Sequence, residues 1–427
     1  MSEKDAFPRL LIISNACLSQ NDSNGRTLRN FLVGWDKTKI AQFFVNNGNP
    51  DLSVCENYYH ISDHDALQVF CKGAKVNGRI AEANEQFSIS SGYQKKRKRN
   101  AITMLLREMV WNSKRWRKQG FYEWVNEFSP EVILLQAGDS PFMLKIAAEI
   151  SKKYHAPLVI YNSEVYYFKK FDYFRARGIA HLLYPLFRKI LRRQYKKTLA
   201  IAAKSVYCCE AIQAEYDSEF GRPSEAIYTA TELKPALSCA KKGMFTVSYL
   251  GNLGVGRHDA LIDIANVLQA ISKDYRLDVY GKIPNEEVQK AFQACDGIRY
   301  KGFVRYEDVI QVMQGSHLLI HVENFSDFYR EDLKYAFSTK IADSLASGTA
   351  FLLYAPQEMA CAQYLTANAA AHVVNRYEDL EHVLRSIAEN ITYREQYLSS
   401  SQSLVQKNHI AEKNCERFQG ILKHVVK

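Results

Sequence analysis

The chain has 427 residues, 47% of them apolar, which suits two domains of about 200 residues with full cores. Its net charge of +10 is concentrated in residues 95–118 and 165–197, which together hold 20 Lys/Arg against only Glu108 and Asp172, while the rest carries 36 basic and 44 acidic residues. A polar start without a signal-peptide pattern, and no uncharged apolar run near the roughly 18 residues of a membrane span, argue against secreted and membrane-spanning readings; the two basic segments call for an anionic partner.

In the first half, the strand Leu10–Ile13 runs into a polar loop, Ser14–Gly25, and a helix over Arg26–Val33. Further strands are expected at Ile40–Val45, Val132–Leu135, Leu158–Tyr161, Ser205–Cys208 and Ala226–Tyr228, with a helix at Phe142–Lys153. This alternation predicts a parallel sheet covered on both faces. A linker is expected across 229–243, where Lys234-Pro235 and Lys241-Lys-Gly243 fall, giving domains 1–232 and 233–427. The second half restarts with a strand, Phe245–Leu250, a glycine-rich turn and a helix over Arg257–Ser272. Strands follow at Leu277–Tyr280, Ile298–Tyr300, Leu318–Val322, Ala350–Tyr354 and His372–Val374, with helices at Tyr306–Gln314, Thr339–Ala346 and Tyr377–Glu389. One long amphipathic helix over Arg394–Val425 closes the chain, and two doubly wound halves imply an interdomain cleft at the strands' C-terminal edges. The nine cysteines have no CxxC spacing, so reduced cytosolic thiols are expected.

The richest stretch is Phe337–Gly348: hydroxyls at Ser338 and Thr339, then Lys340, then Asp343 one turn later as an exposed acid. Backbone N–H groups and a lysine suit a diphosphate, and the carboxylate suits ribose hydroxyls. The alternative is a plain glycine-terminated core helix. Gly251-Asn252-Leu-Gly-Val-Gly-Arg257 puts a glycine-rich turn and a cation after a strand, a pyrophosphate cradle or simply a tight turn; its GxxGxG spacing is not the dinucleotide fingerprint. Gly281 ends the next strand. Glu323 ends another, as a ligand-facing or loop-stabilising acid. Glu164 follows Leu158–Tyr161, as an acceptor-orienting group or base, or as a partner of Lys169. Asn24-Gly25-Arg26 lies in the first βα loop, where Gly25 permits close approach and positive φ.

The stretch Lys340…Asp343…Leu345-Ala-Ser-Gly348 resembles the donor-nucleotide segment of family 4 glycosyltransferases, with Asp343 where that family usually has Glu. The resemblance implies a GT-B fold of two Rossmann-like α/β domains, a nucleotide-diphosphate sugar donor, a metal-independent site without cofactor, and retention at the anomeric carbon. On it, Gly25, Gly251, Asn252, Arg257, Gly281, Ser338, Thr339, Lys340 and Asp343 are donor-binding, and Glu164 and Glu323 catalytic. The chain departs from the family in two places: His258 and Asp259 follow Arg257 where a second lysine is frequent, and Tyr335 stands eight before Asp343, breaking the paired-glutamate pattern. Asp63-His-Asp65 has DxD spacing but sits in the first half.

From Pro185 onward, Leu186, Phe187, Ile190, Leu191, Tyr195 and Leu199 alternate with Arg188, Lys189, Arg192, Arg193, Lys196 and Lys197. This is an amphipathic helix with a cationic face, and residues 99–118 repeat the pattern with Trp111 and Trp116 near the basics. Binding to an anionic membrane surface is expected, against a solvated basic face or nucleic-acid binding, for which no module is present. The expected protein is a cytoplasmic glycosyltransferase, peripheral on the inner face of the cell membrane, with a lipid-linked or otherwise membrane-anchored glycan as acceptor in surface-polysaccharide synthesis. The alternatives are a sugar-nucleotide epimerase on the same fold, or a membrane adaptor with a vestigial nucleotide site.

Overall fold

The computed structural model describes residues 7–19, 23–80, 99–118, 120–234 and 243–426. The chain forms two units: Met1–Ile227 together with Glu412–Lys427, and Tyr228–Ala411. Parts of the expected linker (235–242) and of the first basic segment (95–98) lie outside the described residues.

The first unit holds β1 (Leu10–Ser14), β2 (Ile40–Phe44), β3 (Asn57–His60), β4 (Arg79–Ile80), β5 (Val132–Gln136), β6 (Leu158–Asn162), β7 (Lys204–Tyr207) and β8 (Ser224–Ala226). They form one sheet in the order β4-β3-β2-β1-β5-β6-β7-β8, parallel except for β3–β4. β1 is central, pairing Leu10 with Ile40 on one side and Val132 on the other. Its run LLIIS is buried along its whole length, as expected for a parallel strand covered on both faces. β3 and β4 have no aliphatic run to announce them; β3 is held by Tyr58 and Tyr59 packed among aromatic rings.

Three sequence expectations change here. β8 lies two residues earlier than Ala226–Tyr228. Trp111 and Trp116 are fully buried, Trp111 stacked on Phe142 at 4.5 Å and Trp116 on Phe43 at 5.5 Å, so they build the core rather than a membrane anchor. Gly25 lies inside the helix Ser23–Asn30, not in a loop. Its φ is not positive, and its necessity is steric: a Cβ there would collide with the Cys17 carbonyl oxygen.

The second unit holds β9 (Val247–Leu250), β10 (Leu277–Tyr280), β11 (Ile298–Gly302), β12 (Leu318–Val322), β13 (Ala350–Tyr354) and β14 (His372–Val374), all parallel, in the order β11-β10-β9-β12-β13-β14. The helices Arg257–Ile271 and Leu380–Glu389 pack their aliphatic faces on one side of this sheet.

The expected single terminal helix is three: Ile391–Glu395, Leu398–Asn408 and Ala411–His424. The last break is tertiary in origin. Ile410 bridges to Thr231, and the Thr231 N–H donates to the His409 carbonyl at 2.9 Å, so the backbone leaves its helix to pair across the unit. His409 is wholly buried, with Nδ1 2.7 Å from the Thr229 carbonyl and Nε2 2.8 Å from the Tyr364 hydroxyl. A carbonyl only accepts, so Nδ1 carries the proton and Nε2 accepts from Tyr364. Burial pushes this imidazole down to about 4, keeping it neutral. Beyond the break, the helix Ala411–His424 packs in the first unit, where Phe418 stacks on Phe31 at 4.3 Å and Gln419 donates to the Phe31 and Val33 carbonyls.

Candidate functional site

In the second unit, β9 is flanked by β10 on one side and β12 on the other. The chain direction across the sheet reverses there, and such reversals open a crevice at the strands' C-terminal ends. The loops after β9 and β12 line this crevice, and the helix Thr339–Ala346, which leads into β13, starts at the same edge.

The β9 loop is built to come close to its neighbours. A Cβ on Gly281 would collide with the Gly251 carbonyl oxygen, so the turns after β9 and β10 touch backbone to backbone. Asn252 accepts from the Gly254 N–H at 2.9 Å through its side chain and from Tyr249 Oη at 2.8 Å through its carbonyl, closing the turn. Val255 sits at φ 54°, a costly conformation for a β-branched residue, and Gly256 at φ 72°. Asn324 Nδ2 donates to the Gly256 carbonyl at 2.6 Å and to Asp259 at 3.0 Å, holding this strained corner onto the end of β12. The helix Arg257–Ile271 then begins with no side chain capping its N-terminus. Its first N–H groups and the positive end of its dipole stand where an anion fits.

Arg257 and Glu323 come together as a buried ion pair. Nη2 donates to Glu323 Oε1 at 2.8 Å and Nε to Oε2 at 3.0 Å; Nε also reaches the Val322 carbonyl at 3.2 Å. Nη1 makes a 3.5 Å contact with the Asn252 carbonyl. His321 Nε2 lies 3.2 Å from Glu323 Oε1. Burial pushes the Glu323 carboxyl up, but the bond from His321 and the charge of Arg257 outweigh it and hold it below the ordinary carboxylate range. Burial likewise opposes the charge on Arg257, and Glu323 overrides it. Expected separately as phosphate cation and sugar-facing acid, these residues are one neutralised unit.

Lys340 and Asp343 are also paired, at 3.4 Å. Ser338 caps the helix by accepting from the Lys340 N–H at 3.3 Å, and Thr339 is its first residue. Asp343 is not the exposed acid expected for ribose: it is 6% exposed, and its other oxygen accepts from Thr231 Oγ1 at 2.8 Å. Thr231, Tyr249 and Asn324 were not singled out from the sequence. Only Asn324 carried a signal, as a turn former after a strand.

In the first unit, Glu164 is exposed just beyond β6. Asp63 and Asp65 do not act as a DxD pair: Asp65 completes the Ser62 capping box, and Asp63 accepts from Arg107 and Trp111. The helix Tyr184–Leu199 buries Tyr184, Phe187, Leu191, Tyr195, Thr198 and Leu199. Its cations divide. Arg188 donates to the Lys169 carbonyl, Arg192 donates to the Tyr167 hydroxyl and lies over its ring, and Lys196 pairs with Glu219. Lys189, Arg193 and Lys197 point to solvent, with no carboxylate partner among the described residues. Among the described residues, no three His, Cys, Asp or Glu side chains cluster so as to hold a metal ion, and no helix is long and apolar enough to cross a membrane.

Residues 257–420 match the family described as glycosyl transferase-like, Glyco_trans_1_2. No curated protein sequence matches the chain. Among solved structures, Anabaena HepE in complex with UDP-glucose aligns with TM-score 0.61 at 9% identity, over 97% of this chain and 99% of that one. The lipopolysaccharide outer core galactosyltransferase WaaB in its apo form aligns with TM-score 0.57 at 11% identity, over 96% and 98%. The sucrose-phosphate synthase of Thermosynechococcus elongatus gives 0.56 at 11%, over 98% and 99%. The fold is that of the GT-B glycosyltransferases. The segment that matches the glycosyl transferase-like family runs through the crevice residues from Arg257 to Asp343.

Proposed function

We propose that the protein transfers a sugar from a nucleoside-diphosphate sugar, with retention and without a metal, to a membrane-anchored glycan, as a family 4 type enzyme of surface-polysaccharide synthesis working at the inner face of the cell membrane. The observation that carries the donor reading is the switch-point crevice. There an uncapped helix N-terminus, a glycine turn tight enough for backbone contact, and Lys340 face one sheet edge. In the reaction, the bond between the anomeric carbon and the β-phosphate oxygen breaks, the acceptor oxygen forms the new bond, and the proton of the acceptor hydroxyl leaves with the nucleoside diphosphate. Charge grows on the departing diphosphate, where helix N–H groups and Lys340 stabilise it without reorganising. Arg257 and Glu323 act together in this reading, as a rigid pair that aims Nη1 and the turn. Asp343 orients Lys340 from below, because Thr231 and Lys340 already occupy its oxygens. Glu164 is assigned to the acceptor hydroxyl.

The membrane reading is supported by the outward cations Lys189, Arg193 and Lys197 beside the exposed apolar side chains Ile179, Leu182 and Leu186. The test is nucleotide release from a panel of nucleoside-diphosphate hexoses, beginning with UDP-glucose, with and without membrane extract and with EDTA. Release that needs the extract and survives EDTA is expected. Nucleotide binding without release from any donor overturns the transferase reading, and interconversion of donors without acceptor points to an epimerase.

A further inference from the structure

The first unit contains a cationic cavity distinct from the outward lysines and arginines of the helix Tyr184–Leu199. It has a volume of about 420 Å³ and is lined by Arg99, Asn100, Phe174, Arg175, Ala176, Arg177 and Ala180, with no acid in its wall among the described residues. Two acids bonded to cavity residues are occupied. Asp172 accepts from the Phe174 N–H at 3.0 Å and lies 3.1 Å from His181 Nδ1. Asp139, 5% exposed, accepts from Arg99 Nη2 and from Tyr173 Oη. That buried carboxylate fixes one edge of the Arg99 guanidinium, whose side chain lines the cavity, and the Phe174 ring centroid lies 5.8 Å from the guanidinium carbon. Arg175 is held at φ 54°, and its N–H closes a turn on the Asp172 carbonyl at 2.9 Å. Arg177, beyond the turn, is exposed.

The cavity's setting is informative. Asp139 lies just after β5, and β1–β5 is where the strand order of the first sheet reverses, so Arg99 is anchored to that sheet's own switch point. Ala180 belongs to the short helix Ile179–Leu182, whose Ile179 and Leu182 are 69% and 73% exposed. That helix touches the helix Ala101–Asn112, which exposes Leu106 and Met109. An arginine-lined cavity therefore opens at the foot of an apolar strip. Arginine forks match phosphate oxygens in pairs, and uncovered apolar surface of this kind marks a binding face.

We infer that this cavity is the phosphoryl subsite for a lipid-linked acceptor, taking the phosphate or diphosphate that joins a glycan to its apolar chain, with the chain lying along Ile179, Leu182, Leu106 and Met109. The inference rests on the proposed membrane-anchored acceptor and adds to it the chemistry of the link. A volume of 420 Å³ holds a diphosphate with one sugar, within the range of small-molecule pockets.

The test is binding to the full chain, which needs no turnover. The probes are farnesyl diphosphate in neutral detergent micelles, inorganic pyrophosphate, and farnesol in the same micelles. Farnesyl diphosphate is expected to bind tightest, farnesol weakly. Arg177→Gln and Arg99→Lys, the latter keeping Asp139 paired, are each expected to weaken farnesyl diphosphate binding about tenfold while leaving farnesol unchanged. UDP affinity, measured in parallel, should not move, and a melting curve confirms that each variant is folded. Unchanged farnesyl diphosphate binding in both folded variants overturns the subsite. Pyrophosphate binding as tightly as farnesyl diphosphate overturns the lipid-linked assignment. Failure of donor turnover alone would strike the transferase reading and leave these affinities standing. Lys189→Glu with Arg193→Glu serves as the control: it should lower adsorption to anionic vesicles but not binding in neutral micelles.

Discussion

The crevice of the second unit and the outward face of the helix Tyr184–Leu199 in the first hold their cations in opposite ways. In the second unit, Arg257 and Lys340 each arrive bonded to a carboxylate, Glu323 and Asp343, and both acids are buried. In the first unit, Lys189, Arg193 and Lys197 stand in solvent without such partners among the described residues. A compensated, buried pair is rigid and indifferent to salt; an uncompensated solvent-facing cation is mobile and screened within about 10 Å. The contrast matches the proposed roles. A donor site must present fixed dipoles at a developing charge, whereas a membrane face needs net charge over an area and little geometry.

The sharpest way to break this comparison is to remove one member of the buried pair. Glu323→Ala leaves Arg257 charged and unpartnered, and should destabilise the second unit by about 3–5 kcal/mol, read by urea or thermal unfolding. Glu323→Ala combined with Arg257→Met should recover most of that loss. Because the folded carboxyl of Glu323 lies below its ordinary value of 4.5, its contribution is present above that pH and fades as pH falls through the lower, folded value. A single variant that melts like the parent would show that the pair is not the strut described here.

The same unit also compensates a buried base by keeping it neutral. His409 has its folded value near 4 against an ordinary 6.5. The unfolded chain therefore binds the proton first, and stability is full above about pH 6.5 and falls as pH drops toward 4. The loss amounts to roughly 3 kcal/mol over that window. His409→Gln, measured from pH 7 to 4, should flatten this part of the profile at the cost of lower stability at pH 7. A profile as steep as the parent's would assign the acid sensitivity elsewhere.

For the uncompensated cations, reversing Lys189, Arg193 and Lys197 to Glu should leave the melting point within a degree or two and weaken adsorption to anionic vesicles by at least about 100-fold. This follows from about 1 kcal/mol for each cation near the surface. Raising the salt should produce a similar loss in the parent. Retained adsorption at low salt would move the membrane contact away from this helix.

Much of the second unit was legible because its strands are aliphatic runs and its key helix carries its own start signal. Leu318–Val322, Ala350–Tyr354 and Thr339–Ala346 fall where periodicity, an N-cap serine and a following glycine place them. The rest depended on partners far along the chain. Glu323 meets Arg257 across 66 residues and Asp343 meets Thr231 across 112, so neither pairing nor burial could be read locally. The tryptophans beside basic residues pattern alike whether they face lipid or core, and only the neighbouring rings of Phe43 and Phe142 decide. The terminal helix breaks at Ile410 for a backbone bridge to Thr231, with no proline or glycine at the break to announce it.

The smallest expected effect tests the donor site most directly. Lys340→Ala removes a crevice cation that is still partly open to solvent, 25% exposed in its side chain. A charge-assisted contact to phosphate is worth about 2 kcal/mol, so donor affinity should fall about 30-fold. Stability should change little, because Asp343 keeps Thr231 as a partner and lies only 3.4 Å below a solvent-reached position. Thr231→Val separates the two roles of Asp343: it should loosen the carboxylate and cost donor affinity only through Lys340, so adding it to Lys340→Ala should cost no further affinity. If Lys340→Ala binds donor as the parent does, the diphosphate does not sit at this helix. The compensated cations of the second unit would then be structural struts, and the crevice would bind donor through backbone N–H groups alone.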